Sequence, residues 1–201
     1  MDGLQQISLL LIEPHQLLRR IMRDILRDIG IGSVTTVPTV HQAVDILPIT
    51  RFDAVFVDWS SATDALTFLN AVRRPDGPAP FLPVIVLSSF ADGEHVRHAR
   101  DAGATDYLLK PFSPATVMAR VNALMADRRP FVAGGSFFGP DRRHHANGWQ
   151  GPERRRGSSY VERRTRNLPV PGIERRRRGI GPAFKALTAF ASMGEGTATR
   201  H

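Results

Sequence analysis

The stretch Arg51-Phe52-Asp53-Ala54-Val55-Phe56-Val57-Asp58-Trp59 decides the fold. Its centre, Ala54 to Val57, is an apolar and partly β-branched run that is bounded by acids. Such a run indicates a strand that is buried on both faces, as in a parallel sheet, because four residues are too few for a buried helix. Asp58 stands where this strand should end, and ligands of open α/β sheets bind beyond the carboxyl ends of the strands. Taken alone, an Asp there is more often a helix cap or a solvated side chain than a nucleophile or metal ligand.

Strands and helices alternate along the first 126 residues. Four further apolar runs predict strands, and the segments between them carry apolar residues at three- and four-residue spacing, which is typical of amphipathic helices. This alternation implies an α/β domain with parallel strands, right-handed crossovers and helices on both faces. The predicted strands are Ile7–Ile12, Val34–Val37, Ala54–Val57, Val84–Leu87 and Tyr107–Leu109, and a predicted helix follows each of them.

Charge divides the chain into two parts. Residues 1–126 carry 11 Lys and Arg against 13 Asp and Glu, a net charge of −2. Residues 127–201, which we call the tail, carry 16 against 6, a net charge of +10. The sequence therefore combines a near-neutral domain with a strongly basic appendage.

Composition excludes several classes of protein. The chain has no cysteine, so disulfides and thiolate metal sites are excluded. It has no apolar run of about 18 residues, which a transmembrane helix would need. The start Met1-Asp2-Gly3 lacks the basic region of a secretory signal. We therefore expect a cytoplasmic protein without a membrane partner.

Four chemically distinct side chains follow the predicted strands: Glu13, Asp58, Ser88 and Lys110. This set resembles the receiver domain of bacterial two-component response regulators. The resemblance rests on the runs Val57-Asp58, Leu87-Ser88-Ser89, Ala102-Gly103-Ala104-Thr105-Asp106-Tyr107 and Lys110-Pro111-Phe112, which fall at the spacing of that family. It implies a receiver domain over residues 1–126. The implied fold is a flavodoxin-like (βα)5 doubly wound sheet with strand order 2-1-3-4-5.

The resemblance also assigns a chemical role to each of these side chains. Asp58 would accept a phosphoryl group from a histidine kinase or a phosphotransfer protein and pass the signal to a downstream protein, without being an enzyme. The charge of phosphoryl transfer spreads over three oxygens. Lys110 would pair with one of them and Ser88 would donate a hydrogen bond to another. Ser88 and Tyr107 would form the switch that reports phosphorylation, and the bond before Pro111 is commonly cis in the family.

A Mg²⁺ site is implied by the same resemblance, but with one ligand missing. Glu13, Asp58 and the backbone carbonyl of Ser60 would hold the ion, which prefers oxygen ligands. The family usually has two adjacent acids after its first strand, whereas this chain has Glu13-Pro14. Water can replace a lost ligand, but the lost charge is harder to restore. We therefore expect weakened Mg²⁺ binding.

The loop from Trp59 to Ala65 looks one residue shorter than usual, which leaves its geometry open. The alternative is therefore a degenerate receiver that keeps the fold and acts as a phosphorylation-independent adaptor. In that case the basic tail would bind a protein or nucleic acid.

The tail is rich in Gly, Pro and Arg and loses apolar periodicity, so residues 127–181 are expected to be mostly disordered. An acid followed by two arginines recurs there at spacings of 12, 9 and 12, beginning at Asp141, Glu153, Glu162 and Glu174. The first copy resembles the Phe-Gly-Pro-Asp-Arg-Arg element found after some bacterial receivers. Three alternatives for the partner of the tail remain open. They are an acidic protein surface (which includes that of its own receiver), nucleic acid, and no specific partner. The acid in each copy disfavours nucleic acid.

A short amphipathic helix is predicted at residues 182–194, where Phe184, Leu187 and Phe190 fall on one face. Such a helix would be marginal unless it docks on a partner or on the receiver. Residues 195–201 are expected to be disordered.

Overall fold

The computed structural model describes residues 2–60, 64–135, 137–142 and 159–161. Five parallel strands form its main sheet in the order β2-β1-β3-β4-β5, which confirms the predicted flavodoxin-like topology. The strands are β1 (Ser8–Ile12), β2 (Ser33–Val37), β3 (Ala54–Trp59), β4 (Val84–Ser88) and β5 (Asp106–Leu109).

Helices cover both faces of this sheet because successive strand residues point to opposite sides. Leu9, Leu11 and Phe56 face one apolar layer, which helices α2 and α6 complete. Leu10 and Val55 face the other layer, with α3, α4 and α5. The helices are α1 (Asp2–Gln5), α2 (Gln16–Asp28), α3 (Val40–Ile46), α4 (Ala65–Val72), α5 (Gly93–Asp101) and α6 (Pro114–Ala126).

The helix ends follow the local sequence signals. The Ser113 hydroxyl accepts a hydrogen bond from the Thr116 N–H at 3.1 Å and so caps the start of α6. Asp92 caps α5 through the N–H groups of Glu94 and His95. Gly103 ends the same helix region with φ of +92°, a backbone conformation that side chains other than glycine rarely adopt.

A second, antiparallel sheet follows the receiver, in the order β7-β6-β8. Its strands are β6 (Phe131–Gly134), β7 (Phe137–Pro140) and β8 (Ser159–Val161). These strands are an exception to the expectation that residues 127–181 are mostly disordered. Tail residues 136, 143–158 and 162–201, which include the helix predicted at 182–194 and residues 195–201, lie outside the described residues.

These strands are ordered because they bury aromatic side chains against the receiver. Phe131 is 2% exposed, and its ring centroid lies 5.2 Å from that of Phe81, in the loop before β4. Phe138 is also buried and lies 5.4 Å from Phe81. The side chain of Arg129 donates to the Thr105 carbonyl at 3.1 Å, which fixes the chain between α6 and β6. The ordered domain thus extends beyond the boundary that charge suggested.

Phe131→Ala should lower the free energy of unfolding by about 3–5 kcal/mol, because it removes a buried ring that packs on the receiver. Ile49→Ala is the control, since Ile49 is 83% exposed and its loss should cost less than about 0.5 kcal/mol. Urea denaturation of the full chain measures both. Equal, small effects would show that β6 does not stabilise the receiver.

Candidate functional site

The ammonium group of Lys110 lies between two carboxylates at the carboxyl ends of the strands. Its Nζ atom is 2.6 Å from Asp58 Oδ1 and 3.1 Å from Glu13 Oε2. Asp58 is the penultimate residue of β3, Glu13 follows β1, and Lys110 follows β5. Since β1 and β3 are neighbours and β5 lies beyond β4, the strand order brings all three residues to one edge. The structure thus joins three residues that the sequence singled out.

Both carboxylates are withdrawn from solvent. Glu13 is 0% and Asp58 is 1% exposed, whereas the side chain of Lys110 keeps 21% of its surface accessible. Buried charges need partners, and here two negative groups share one ammonium group. This local excess of negative charge favours a further cation.

Each carboxylate also receives a hydrogen bond from a nearby residue on its own loop. The Ser60 hydroxyl donates to Asp58 Oδ2 at 2.6 Å. The backbone N–H of His15 donates to Glu13 Oε1 at 3.0 Å, and Arg19 Nη1 donates to the Glu13 carbonyl at 2.6 Å. From the sequence, a role was predicted only for the backbone carbonyl of Ser60. A hydroxyl two residues after an Asp is nevertheless a signal, because such a side chain can reach back to the carboxylate.

Ser88 is fully buried, but its hydroxyl is directed at the backbone beside the site. It donates to the Trp59 carbonyl at 2.9 Å and accepts from the Phe90 N–H at 3.1 Å. Tyr107, the other predicted switch residue, donates its hydroxyl to the Phe90 carbonyl at 2.8 Å. Partial burial raises the pKa of the Tyr107 phenol above its usual value, so the hydroxyl stays a donor at neutral pH. Ser88 and Tyr107 therefore meet at Phe90.

An aromatic cluster of Trp59, Phe90 and His95 includes the residue that follows Asp58 in the chain and was not predicted from the sequence. The His95 ring stacks on Phe90 at 4.2 Å between centroids and lies 5.1 Å from Trp59. Asp92 fixes His95 through a 2.6 Å contact with its Nδ1 atom. The backbone N–H of His95, followed by its side chain, lowers the pKa of Asp92 to about 2. The cluster joins the end of β3 to the first turn of α5.

The donor set fits a hard cation held through few protein ligands. Glu13 and Asp58 supply carboxylate oxygens, and Pro14 supplies none where the family has a second acid. Among the described residues, no group of three or more His, Asp and Glu side chains is placed to hold a metal ion. Mg²⁺ keeps several waters in most sites, so two carboxylates and the Ser60 carbonyl suit it. Such a site has one negative charge fewer than a site with the full pair of acids.

Residues 9–122 match the family model of the response regulator receiver domain. The chain belongs to the response regulator receiver family. The resemblance found in the sequence is thereby confirmed, and with it a role in phosphorelay signalling. The cis peptide bond between Lys110 and Pro111 also agrees with it.

Two curated relatives are chemotaxis proteins. CheY-3 of Vibrio cholerae is 26% identical over 121 residues, which is 60% of this chain and 92% of the relative. CheY of Pseudomonas aeruginosa is 25% identical over 119 residues, or 59% and 95% of the two chains. The matches cover the receiver and leave most of the tail unmatched.

Two solved structures have the same fold. One is the receiver domain of the sensor histidine kinase PA1611 from Pseudomonas aeruginosa, with a magnesium ion coordinated in its active-site cleft. It is 25% identical, has a TM-score of 0.54, and covers 60% of this chain and 98% of its own. The other is a putative response regulator from Chloroflexus aurantiacus, also 25% identical, with a TM-score of 0.55 and coverages of 60% and 98%. In the described part of this receiver, every helix is too short or too polar to span a membrane.

Ser88→Ala should lower the free energy of unfolding by about 1–3 kcal/mol, because the Trp59 carbonyl and the Phe90 N–H each lose a partner. Ser89→Ala is the matched control, since Ser89 is the exposed neighbour. Urea denaturation midpoints of both variants test this. If the two serines prove equivalent, the bonds of Ser88 do not stabilise the strand ends.

Proposed function

We propose that Asp58 is the phosphoacceptor of this receiver and that its phosphorylation changes how the chain binds another protein. The contact of the Asp58 carboxylate with Lys110 at 2.6 Å carries the proposal. It places a negative nucleophile beside a cation that can pair with the transferred group. The donor would be a phosphohistidine of a kinase or phosphotransfer protein. A chain that receives its phosphoryl group from such a donor would lie in the cytoplasm.

The reaction is a displacement at phosphorus. An Asp58 carboxylate oxygen forms a bond to phosphorus while the phosphorus–nitrogen bond of the donor breaks. The electron pair of that bond stays on the imidazole nitrogen, which then takes a proton. Lys110 stays within reach of the new phosphoryl oxygens and offsets their charge. The chain is thus an acceptor that is modified once, which supports a signalling role over a metabolic one.

Access to Asp58 requires a local rearrangement. Oδ1 is held by Lys110 and Oδ2 accepts from Ser60, so both oxygens are engaged. Lys110 can keep its contact through the reaction because it neutralises charge. The Ser60 hydroxyl must release Oδ2 if that oxygen is to attack, so Ser60 sets part of the barrier.

Mg²⁺ would be held by Glu13, Asp58 and the backbone carbonyl of Ser60. When bound, it would neutralise charge on the phosphoryl oxygens. Because Pro14 contributes no oxygen from its side chain, water would complete the coordination. This receiver would therefore need more Mg²⁺ than one with the full pair of acids.

The tail would contribute to the downstream interaction. Within the described residues, Arg142 pairs with Asp101 of the receiver at 2.7 Å. This contact supports an acidic protein surface over nucleic acid as the target of the first acid–arginine unit. The phosphorylation-independent adaptor gains no comparable support, because Lys110 contacts both Asp58 and Glu13.

Asp58→Asn should abolish the gain of one phosphoryl mass when the chain is incubated with acetyl phosphate and Mg²⁺. The amide is a far weaker nucleophile and carries no charge. Asp76→Asn, at an exposed carboxylate, is the control and should gain the mass normally. Intact mass spectrometry decides, and modification of Asp58→Asn to the wild-type extent would refute the assignment.

Pro14→Asp should tighten Mg²⁺ binding by roughly tenfold or more, since a third negative group within a few ångströms adds at least about 1.4 kcal/mol. Pro14→Asn is the matched control, because an Asn side chain has the shape of an Asp side chain without its charge. Titration of Trp59 fluorescence in a Trp149→Phe background reports binding. The same affinity for both variants would mean that the charge at position 14 does not limit the site.

A further inference from the structure

Strand β7 lies against a part of the receiver that we call the docking surface, formed by Phe81, Asp101 and Gly103. Gly139 of β7 approaches so closely that a Cβ atom there would lie 3.0 Å from the Gly103 Cα atom. A Cβ at this distance is tighter than an ordinary van der Waals contact, so a side chain at position 139 would force the two segments to shift. Gly139 therefore fixes how β7 is seated.

An aromatic side chain fills the apolar part of this interface. Phe138 is 7% exposed, and its centroid lies 5.4 Å from Phe81 and 5.7 Å from Phe131, distances typical of favourable ring pairs. Arg73 contacts both the small sheet and the receiver. Its guanidinium lies 5.4 Å from the Phe131 ring of β6, and its Nε donates to the Gly103 carbonyl at 2.8 Å. Strand β7 therefore shares a buried apolar interface with the receiver.

Arg142 ties the end of this element to helix α5. Its Nη1 lies 2.7 Å from Asp101 Oδ1, and its Nη2 donates to the Asp101 carbonyl at 3.0 Å. The guanidinium also lies 3.9 Å from the centroid of the Phe137 ring. Asp101 is the last residue of α5, where a cation is favoured by the unpaired carbonyls.

The other end of α5 lies beside the acceptor site. His95, in its first turn, belongs to the aromatic cluster with Phe90 and Trp59, and Trp59 follows Asp58 in β3. Ala99 is the buried residue of this nine-residue helix. The helix is therefore held mainly by its two ends, one at the site and one at the docking surface.

Ser88 links the acceptor to the aromatic cluster. Its hydroxyl bonds to the Trp59 carbonyl and to the Phe90 N–H, and Phe90 stacks on His95. A phosphoryl oxygen on Asp58 that takes over the Ser88 hydroxyl would break the bond to the Trp59 carbonyl and draw the Ser88 oxygen away from the Phe90 N–H. The first turn of α5 would then lose the arrangement seen here.

We propose that the docking surface is the output site of this receiver, and that the Phe137–Arg142 element leaves it when Asp58 is phosphorylated. The proposal rests on the function proposed above for Asp58. The ligand of the docking surface is a segment of the chain's own tail, and α5 connects it to the acceptor site. Because coupling is reciprocal, loss of the docking contacts must also alter the environment of Trp59.

The first experiment measures amide hydrogen exchange of the full chain with and without acetyl phosphate and Mg²⁺. Phosphorylation should speed exchange in residues 131–134 and 137–139 by at least about fivefold, the lower end of ordinary coupling energies. Asp58→Asn should show no acceleration. Intact mass is recorded on the same samples, so that acceptance of the phosphoryl group is known independently.

The second experiment needs no phosphoryl group. In a Trp149→Phe background, Arg142→Ala should shift the Trp59 emission, because it frees the far end of α5. Arg128→Ala is the matched control, since Arg128 is exposed and its guanidinium only donates to the Met125 carbonyl at 3.3 Å. Its emission should match that of the wild type.

The outcomes separate the two proposals. A gain in mass with unchanged exchange of β6 and β7 would overturn the output site while leaving Asp58 as the acceptor. No gain in mass would refute the acceptor. The Arg142→Ala variant alone would then test whether the docking surface is coupled to the acceptor site. An unchanged Trp59 emission in that variant would overturn the coupling.

Discussion

The contact of one ammonium group with two buried carboxylates is the constraint on which the site depends. Lys110 follows β5, yet it reaches Asp58 on β3 and Glu13 after β1. This reach exists only because β4 separates β5 from β3 by a single strand and all strands run parallel. A different strand order would leave two acids buried at the sheet edge without a cation. The sheet topology and the chemistry are therefore one requirement.

Stability alone does not explain this arrangement, because desolvation of buried ions offsets much of their attraction. The two carboxylates exceed the single ammonium group, so their charge favours a further positive group. Pro14 lowers that demand by removing one acid. Arg19 and His15 hold the loop around Glu13 through its carbonyl and its Oε1 atom. The loop is thus kept in shape by protein donors and not by a metal ion alone.

The sequence predicted the receiver well because buried parallel strands leave a strong signal, apolar runs between turn residues. The convergence of Glu13, Asp58 and Lys110 followed from strand ends alone. The Ser60 hydroxyl and the contacts of Ser88 could not be predicted, because they depend on side-chain rotation. The small sheet was missed since each strand has only three or four residues and lies among Gly, Pro and Arg. Phe131 and Phe138 were the sequence signals for this sheet. The average composition of the tail concealed them.

Helix α5 differs from the other helices in how it is held, and this is why it suits a connecting role. Its polar surface gives it little apolar packing, so its position depends on contacts at His95 and Asp101. Elements of low local stability are the ones that move in switching proteins. The docking surface adds the second requirement, a close-packed contact. The close approach of Gly139 to Gly103 leaves little room for sliding, so a small shift of α5 would release the strand instead of deforming the contact.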